Sequence, residues 1–108
     1  MKTLQFALLA ALSFAGVAGA ADWPAEDLWY KCKGCHGMDG KANTKVGVKE
    51  KIPDLTTLNW QAKMTDEAIL KVISDGSPKN AKMKAYKEIF TPTEIASLIP
   101  YIRNLREK

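Results

Sequence analysis

The chain has 108 residues, 46% hydrophobic and 26% charged, with 16 basic against 12 acidic residues and a formal net charge of +4. That length makes one domain, and so mild a basic excess argues against a nucleic-acid partner. Its two cysteines are separated by two residues, so a bridge between them would close too short a loop to staple a small fold.

The opening stretch, MKTLQFALLAALSFAGVAGAAD, places Lys2 before an apolar run from Leu4 to Val17 and ends on Ala18-Gly19-Ala20. This predicts a secretory signal peptide over residues 1–20, cleaved after Ala20 or Ala21, and a mature domain over 21–108. The run is shorter than the roughly 20 residues of a membrane span, so the mature chain is expected to lack one and to work in the periplasm.

Asp22 as cap and Pro24 in the first turn predict a short helix running into Cys32. The next segment, GCHGMDGKANTKVGVKEKIPDL, carries Gly34, Gly37, Gly40 and Gly47 and no sustained period. It is predicted to be a loop held by something other than backbone ladders. MTDEAILKVISDG predicts a helix with Thr65 as N-cap, Asp66 and Glu67 at the positive end, Ala68, Ile69, Val72 and Ile73 on one face, and Gly76 as stop. FTPTEIASLIPYIRNLREK predicts another, with Thr91 and Glu94 as capping box, Pro92 at the first helical position, and a stripe of Ile95, Leu98, Ile99, Ile102 and Leu105. Pro100 lacks the N–H that would bond to Ala96 and is expected to bend it. The chain thus reads as all-α, three or more short helices and long loops with little strand signal, too short to bury enough surface alone.

KCKGCHG, residues 31–37, holds both cysteines and the only histidine. Structural zinc needs four ligands, and no second Cys or His exists to complete Cys32, Cys35 and His36. A dithiol oxidoreductase places its Cys-x-x-Cys at a helix start after a strand, whereas this motif ends a helix with no strand before it. A Cys–His nucleophile would lack an orienting group. Haem attachment accounts for every position: two thiols on one helical turn add to the two vinyl groups of one porphyrin, and the adjacent histidine is delivered beneath the iron. One covalent haem c is therefore the expected cofactor, and its ring supplies the missing core.

With that motif, the order of CKGCHGMDG, IPDL, Trp60, MTDEAILKVISDG, AKMKAY and TPTEIASLIPYIRNL resembles the small bacterial monohaem cytochromes c of the class I fold, over essentially the whole mature chain. The resemblance implies an all-α fold of short helices and loops wrapped around the haem. It also implies a methionine as second axial ligand, and Met83, between the last two predicted helices, occupies that place. Met38 is too close to His36 to reach the opposite ring face, and Met64 sits one residue before the Thr65 cap. By the same likeness a carbonyl near Pro53 would accept the other N–H of His36, and the indole N–H of Trp60 would steady a haem propionate; as a plain core aromatic Trp60 would be equally at home. Two positions depart from the family: Lys84 stands where proline often follows the methionine, and Gly47 is followed by Val48 rather than proline.

The resemblance implies an exported, monomeric electron carrier and not an enzyme. Residues 31–87 carry twelve lysines against six acids, including Lys33, Lys79, Lys82, Lys84 and Lys87, which fits redox protein partners with an acidic docking surface. Two other functions share these residues: a haem-based sensor of small ligands with a labile distal ligand, and an electron-entry subunit of a larger redox complex.

Overall fold

The computed structural model describes residues 22–107, so the predicted leader and its cleavage point lie outside the described residues. Six helices follow in order: α1 (Ala25–Leu28), α2 (Lys33–His36), α3 (Lys45–Lys49), α4 (Leu58–Lys63), α5 (Asp66–Asp75) and α6 (Pro92–Asn104). A tighter turn, Trp29–Lys31, joins α1 to α2, and no strand occurs among the described residues.

The two long helices form where their caps require. The Thr65 hydroxyl accepts the Ala68 N–H at 3.1 Å, and α5 ends at Gly76. At α6 the Thr91 hydroxyl accepts the Glu94 N–H at 3.1 Å while the Glu94 carboxylate accepts the Thr91 N–H at 2.8 Å, so two otherwise unpaired donors are satisfied reciprocally. These bonds, with one from the Trp23 N–H, hold the Glu94 carboxyl below its usual range. The helix runs on through Pro100, which is exposed together with Ala96, so the carbonyl that proline leaves without a donor faces water.

Asp22 does not cap α1. Pro24 holds the N-cap position with no side-chain capping bond, and Asp22 Oδ1 instead accepts the Thr91 hydroxyl at 2.5 Å. Trp23 N–H donates to Glu94 Oε2 at 2.9 Å, so the described N-terminal residues are fastened to the start of α6. The carboxylate reaches across to another helix because its own begins three residues later.

Two helices arise where the sequence shows no period. Thr44 caps α3 by accepting the Gly47 N–H at 2.8 Å, and Thr57 caps α4 by accepting the Trp60 N–H at 3.1 Å. Each is under two turns long, and Lys45–Lys49 contains a glycine and two valines, all poor helix formers. The rest of the segment is held by single bonds: Ala42 N–H to His36 O at 2.8 Å and Leu55 N–H to Gly40 O at 2.9 Å.

Helix α6 packs on α1 and on α5, and α2 packs on α3. The core joins Leu28 and Trp29 to Ile69 and Ile73 of α5, to Tyr86 and Phe90, and to Ile95, Leu98 and Ile102 of α6. Leu98 and Trp29 are the most enclosed side chains. Burying one such apolar side chain contributes about 1.5–3 kcal/mol.

A buried polar clamp fastens α4 to this core. The Gln61 side-chain amide donates to Leu55 O at 2.8 Å and Ile102 O at 3.0 Å, and its oxygen accepts from Arg103 Nη1 at 3.1 Å. Arg103 also reaches Gln61 O at 2.7 Å, Met64 O at 2.6 Å and Asp66 Oδ1 at 2.9 Å. One guanidinium thus closes the end of α4 and the start of α5 onto α6.

Candidate functional site

Cys32, Cys35 and His36 meet because the backbone winds once between them. Cys35 N–H and His36 N–H both point to Cys32 O, at 3.2 and 3.0 Å, which puts the three side chains on one face of a single turn. Gly37, at φ 80°, ends that turn.

The turn is fixed from outside by its carbonyls. The Thr44 hydroxyl donates to Cys35 O at 2.7 Å, Ala42 N–H to His36 O at 2.8 Å, and the Trp29 indole N–H to Gly37 O at 3.0 Å. Three successive carbonyls are therefore held by three different parts of the chain. Gly47 of α3 lies so close that a side chain there would meet Cys35 O at 2.8 Å. The Trp29 ring, almost wholly buried, stands 5.9 Å from the His36 ring and 5.3 Å from that of Tyr101.

Both cysteines are free thiols, half-buried. Burial, and then the nearby Cys35, push the Cys32 thiol up to about 11. A dithiol oxidoreductase depends on the opposite shift, a thiol lowered toward neutrality, so the environment of Cys32 does not suit that chemistry. Among the described residues no group of three His, Cys, Asp or Glu side chains is placed to share a metal ion.

Burial lowers the His36 pKa, so the imidazole is held in the neutral, ligating form. Its Nδ1 is buried without a hydrogen-bond partner. A polar atom so placed costs about 1–3 kcal/mol, a cost unlike anything else in this well-paired turn. Two free thiols and a neutral imidazole on one turn are the donor set of a c-type haem, and the residues fit that group.

The other expected residues divide. Trp60, Met64 and Met83 are all half-buried and pack, with Cys32, against the common core. Pro53 is exposed, and no described residue, Pro53 included, bonds to His36 Nδ1. Met38 is exposed. Met83 is pinned through its backbone: its N–H donates to Asn80 O at 3.1 Å and its carbonyl accepts from Ser77 N–H at 3.0 Å.

Two contributors escape a reading of the sequence. Trp29 supports the motif from beneath, and its only signal is a large aromatic three residues before Cys32. Tyr86 is buried and stacks on Phe90 at 5.0 Å. Burial, and then Cys32 and Cys35, raise its phenol pKa, and it belongs to the core against which Cys32 packs.

The family described as "Cytochrome C oxidase, cbb3-type, subunit III" matches residues 17–102. A comparison with curated proteins gives no match. Among solved structures, the KustC0563 c-type cytochrome superposes with a TM-score of 0.71 at 34% identity, over 79% of this chain and 100% of that one. A tyrosine-to-phenylalanine variant of that cytochrome gives a TM-score of 0.68 at 34% identity, over 78% and 100%. With the helical fold and the Cys-x-x-Cys-His turn in place, this chain belongs to that family as a small monohaem c-type cytochrome, which carries out electron transfer through one covalently bound haem c.

Proposed function

We propose that the protein is a periplasmic carrier of single electrons, its haem joined through Cys32 and Cys35 and ligated by His36 and Met83. The observation that supports this most is the winding of Cys32, Cys35 and His36 onto one face of a turn whose carbonyls are tied down on three sides. Bound haem c supplies the one-electron chemistry. The chain's own residues orient it, exclude water and hold the two axial donors. Thr44, Ala42 and Trp29 fix the turn that presents His36, while Ile69, Ile73 and Tyr86 furnish the apolar wall. Trp60, half-buried beside that wall, is proposed to steady a propionate, and Pro53 to flank the proximal side from the surface.

Met83 is preferred to Met64 because its turn lies between α5 and α6, whereas the Met64 backbone is drawn to α6 by Arg103. The test is visible spectroscopy of protein purified from the periplasmic fraction. Met83→Ala is expected to lose the weak long-wavelength ferric band of iron–sulfur ligation and to let the reduced protein bind carbon monoxide, with Met64→Ala keeping the band. The reverse pattern would make Met64 the ligand. Rapid carbon monoxide binding by the unaltered reduced protein would replace the carrier with a ligand sensor, and absence from the periplasmic fraction would overturn export.

The partner is proposed to be a redox protein with an acidic surface, and the chain to act as a monomer. Some of the lysines near Met83 are engaged: Lys82 lies 3.7 Å from Glu50, and Lys87 3.4 Å from Asp75. Lys79 is exposed, so it is the cleaner probe. Reduction by an acidic protein donor should slow as salt rises past about 0.1 M, where the Debye length is about 10 Å, and Lys79→Glu should slow it further than Lys71→Glu. Rates indifferent to salt in stopped flow would leave the lysines as solubility charges.

A second reading is favoured by the family's description as an oxidase subunit: the same haem domain acting as an electron-entry subunit within a complex. No helix among the described residues is long and apolar enough to cross a membrane.

A further inference from the structure

The turn that carries Met83 is bonded mostly to itself. Lys79 N–H donates to Ser77 Oγ at 3.1 Å, Lys82 N–H to Asn80 Oδ1 at 2.9 Å, and Met83 is held by Asn80 and Ser77. These bonds give the turn its shape, and its C-terminal side is held to α5 by Tyr86 N–H to Ile73 O at 2.9 Å and Lys87 N–H to Ser74 O at 3.2 Å. Beyond the Lys84 ammonium, 5.6 Å from the Tyr86 ring, the hydrogen bonds and ion pairs that residues 77–84 make to the rest of the fold among the described residues run to one side chain. Glu50 Oε1 accepts the Asn80 side-chain N–H at 3.3 Å, and Glu50 Oε2 faces Lys82 Nζ at 3.7 Å.

Glu50 occupies a significant place in the chain. It caps the C-terminal end of α3, its N–H bonded to Val46 O at 2.8 Å. That helix begins at Thr44, whose hydroxyl holds Cys35 O, and contains Gly47, which presses on the same carbonyl. The next residue, Lys51, turns back at φ 54°, and Ile52 N–H closes onto Gly47 O at 2.9 Å, so the helix end is locked. A single carboxylate thus ties the frame of the haem motif to the turn bearing Met83.

We propose that Glu50 is a positioning residue for Met83: it holds the 77–84 turn against α3 and so sets how readily the Met83 thioether leaves the iron. This rests on the assignment of Met83 as distal ligand. The Glu50 side chain is 21% exposed and that of Lys82 60%, so the ion pair is weak in water and the Asn80 bond carries more of the tether. The tether is consequently a brake of modest strength. In a turn that lacks the rigid proline after its methionine, a modest brake still decides the rate of opening.

The experiment uses the haem-loaded protein and compares Glu50→Ala, which removes both contacts, with Glu50→Gln, which keeps an acceptor for Asn80 and removes the charge facing Lys82. At saturating cyanide the rate of binding to the ferric protein is limited by departure of the methionine. Glu50→Ala is expected to raise that limiting rate about fivefold and Glu50→Gln about twofold. Hydrogen exchange at the Ser77 and Met83 amides should accelerate in the same order. An unchanged cyanide rate and unchanged amide exchange in Glu50→Ala, with Met83→Ala still opening the iron, would overturn the role of Glu50 while leaving the ligand in place. Cyanide binding unaltered by Met83→Ala would overturn the ligand assignment instead, and faster Ser77 and Met83 exchange in Glu50→Ala would then mark Glu50 as a tether of the turn without a ligand to position.

Discussion

Gly47→Ala is expected to give little or no haem-loaded protein, with whatever folds destabilised by about 3 kcal/mol or more. A Cβ at this position would run into Ala42 O and lie 2.8 Å from both Ala42 C and Cys35 O. All three are backbone atoms, so no rotamer change relieves the contact. Nor can the backbone drift: Cys35 O is held by the Thr44 hydroxyl, and Ala42 is held through its N–H by His36 O at φ 56°. The glycine is needed for space and not for its torsions, since it lies within α3. The measurement is haem stoichiometry on expression together with urea unfolding. Wild-type loading and midpoint would mean that α3 can withdraw from the motif, and the rigid frame around Cys35 would have to be abandoned.

Gly76→Ala is expected to cost about 2–4 kcal/mol and, unlike most destabilising changes, to alter the spectrum as well. Gly76 lies at φ 85° and ψ 167°, a region that essentially only glycine adopts, and a Cβ would stand 2.8 Å from Met83 O and 3.2 Å from Ala85 N. The Met83 carbonyl also accepts Ser77 N–H, so pushing it away shifts the residue proposed to reach the iron. The ferric long-wavelength band should weaken along with the fall in melting temperature. Asparagine, which tolerates the left-handed helical region, should give no rescue because ψ here lies far from that region. A Gly76→Asn protein with near wild-type stability and spectrum would show that the turn has other ways to settle.

What could be read in the sequence was what repeats or concentrates locally. The haem motif, the Thr65 and Thr91 caps and the stripe of α6 are short-range patterns, and the all-α class, the family and haem c follow from them. The helices at Lys45–Lys49 and Leu58–Lys63 are too short to show a period; a threonine three residues ahead of the N–H it caps was the faint sign of each. Asp22 obeyed its propensity to accept a hydrogen bond, but from a residue 69 positions away. The bond from Arg103 to Gln61 spans 42 residues and has no periodic trace at all. The support of Trp29 for the motif is closer in sequence, yet an indole bonded to a carbonyl looks in the sequence like any other apolar position. As for the site, its three motif residues converge by local winding, while the placing of Met83 and the open Nδ1 of His36 depend on the tertiary frame.

The fastening of Asp22 and Trp23 to the first turn of α6 joins the N-terminal side of the described fold to the start of its last helix, and this bears on the order in which the fold can close. The haem motif precedes α5 and α6 in the chain, and the surfaces that enclose it include Ile95, Leu98 and Ile102, which are synthesised well after it. Until α6 docks, α1 has no helix to lie on, and the segment around Trp60 and Met64 lacks the Arg103 clamp that draws it inward. A growing chain therefore leaves Cys32 and Cys35 without this cover until α6 has been made. Closure waits for α6, so haem addition at the motif can precede it.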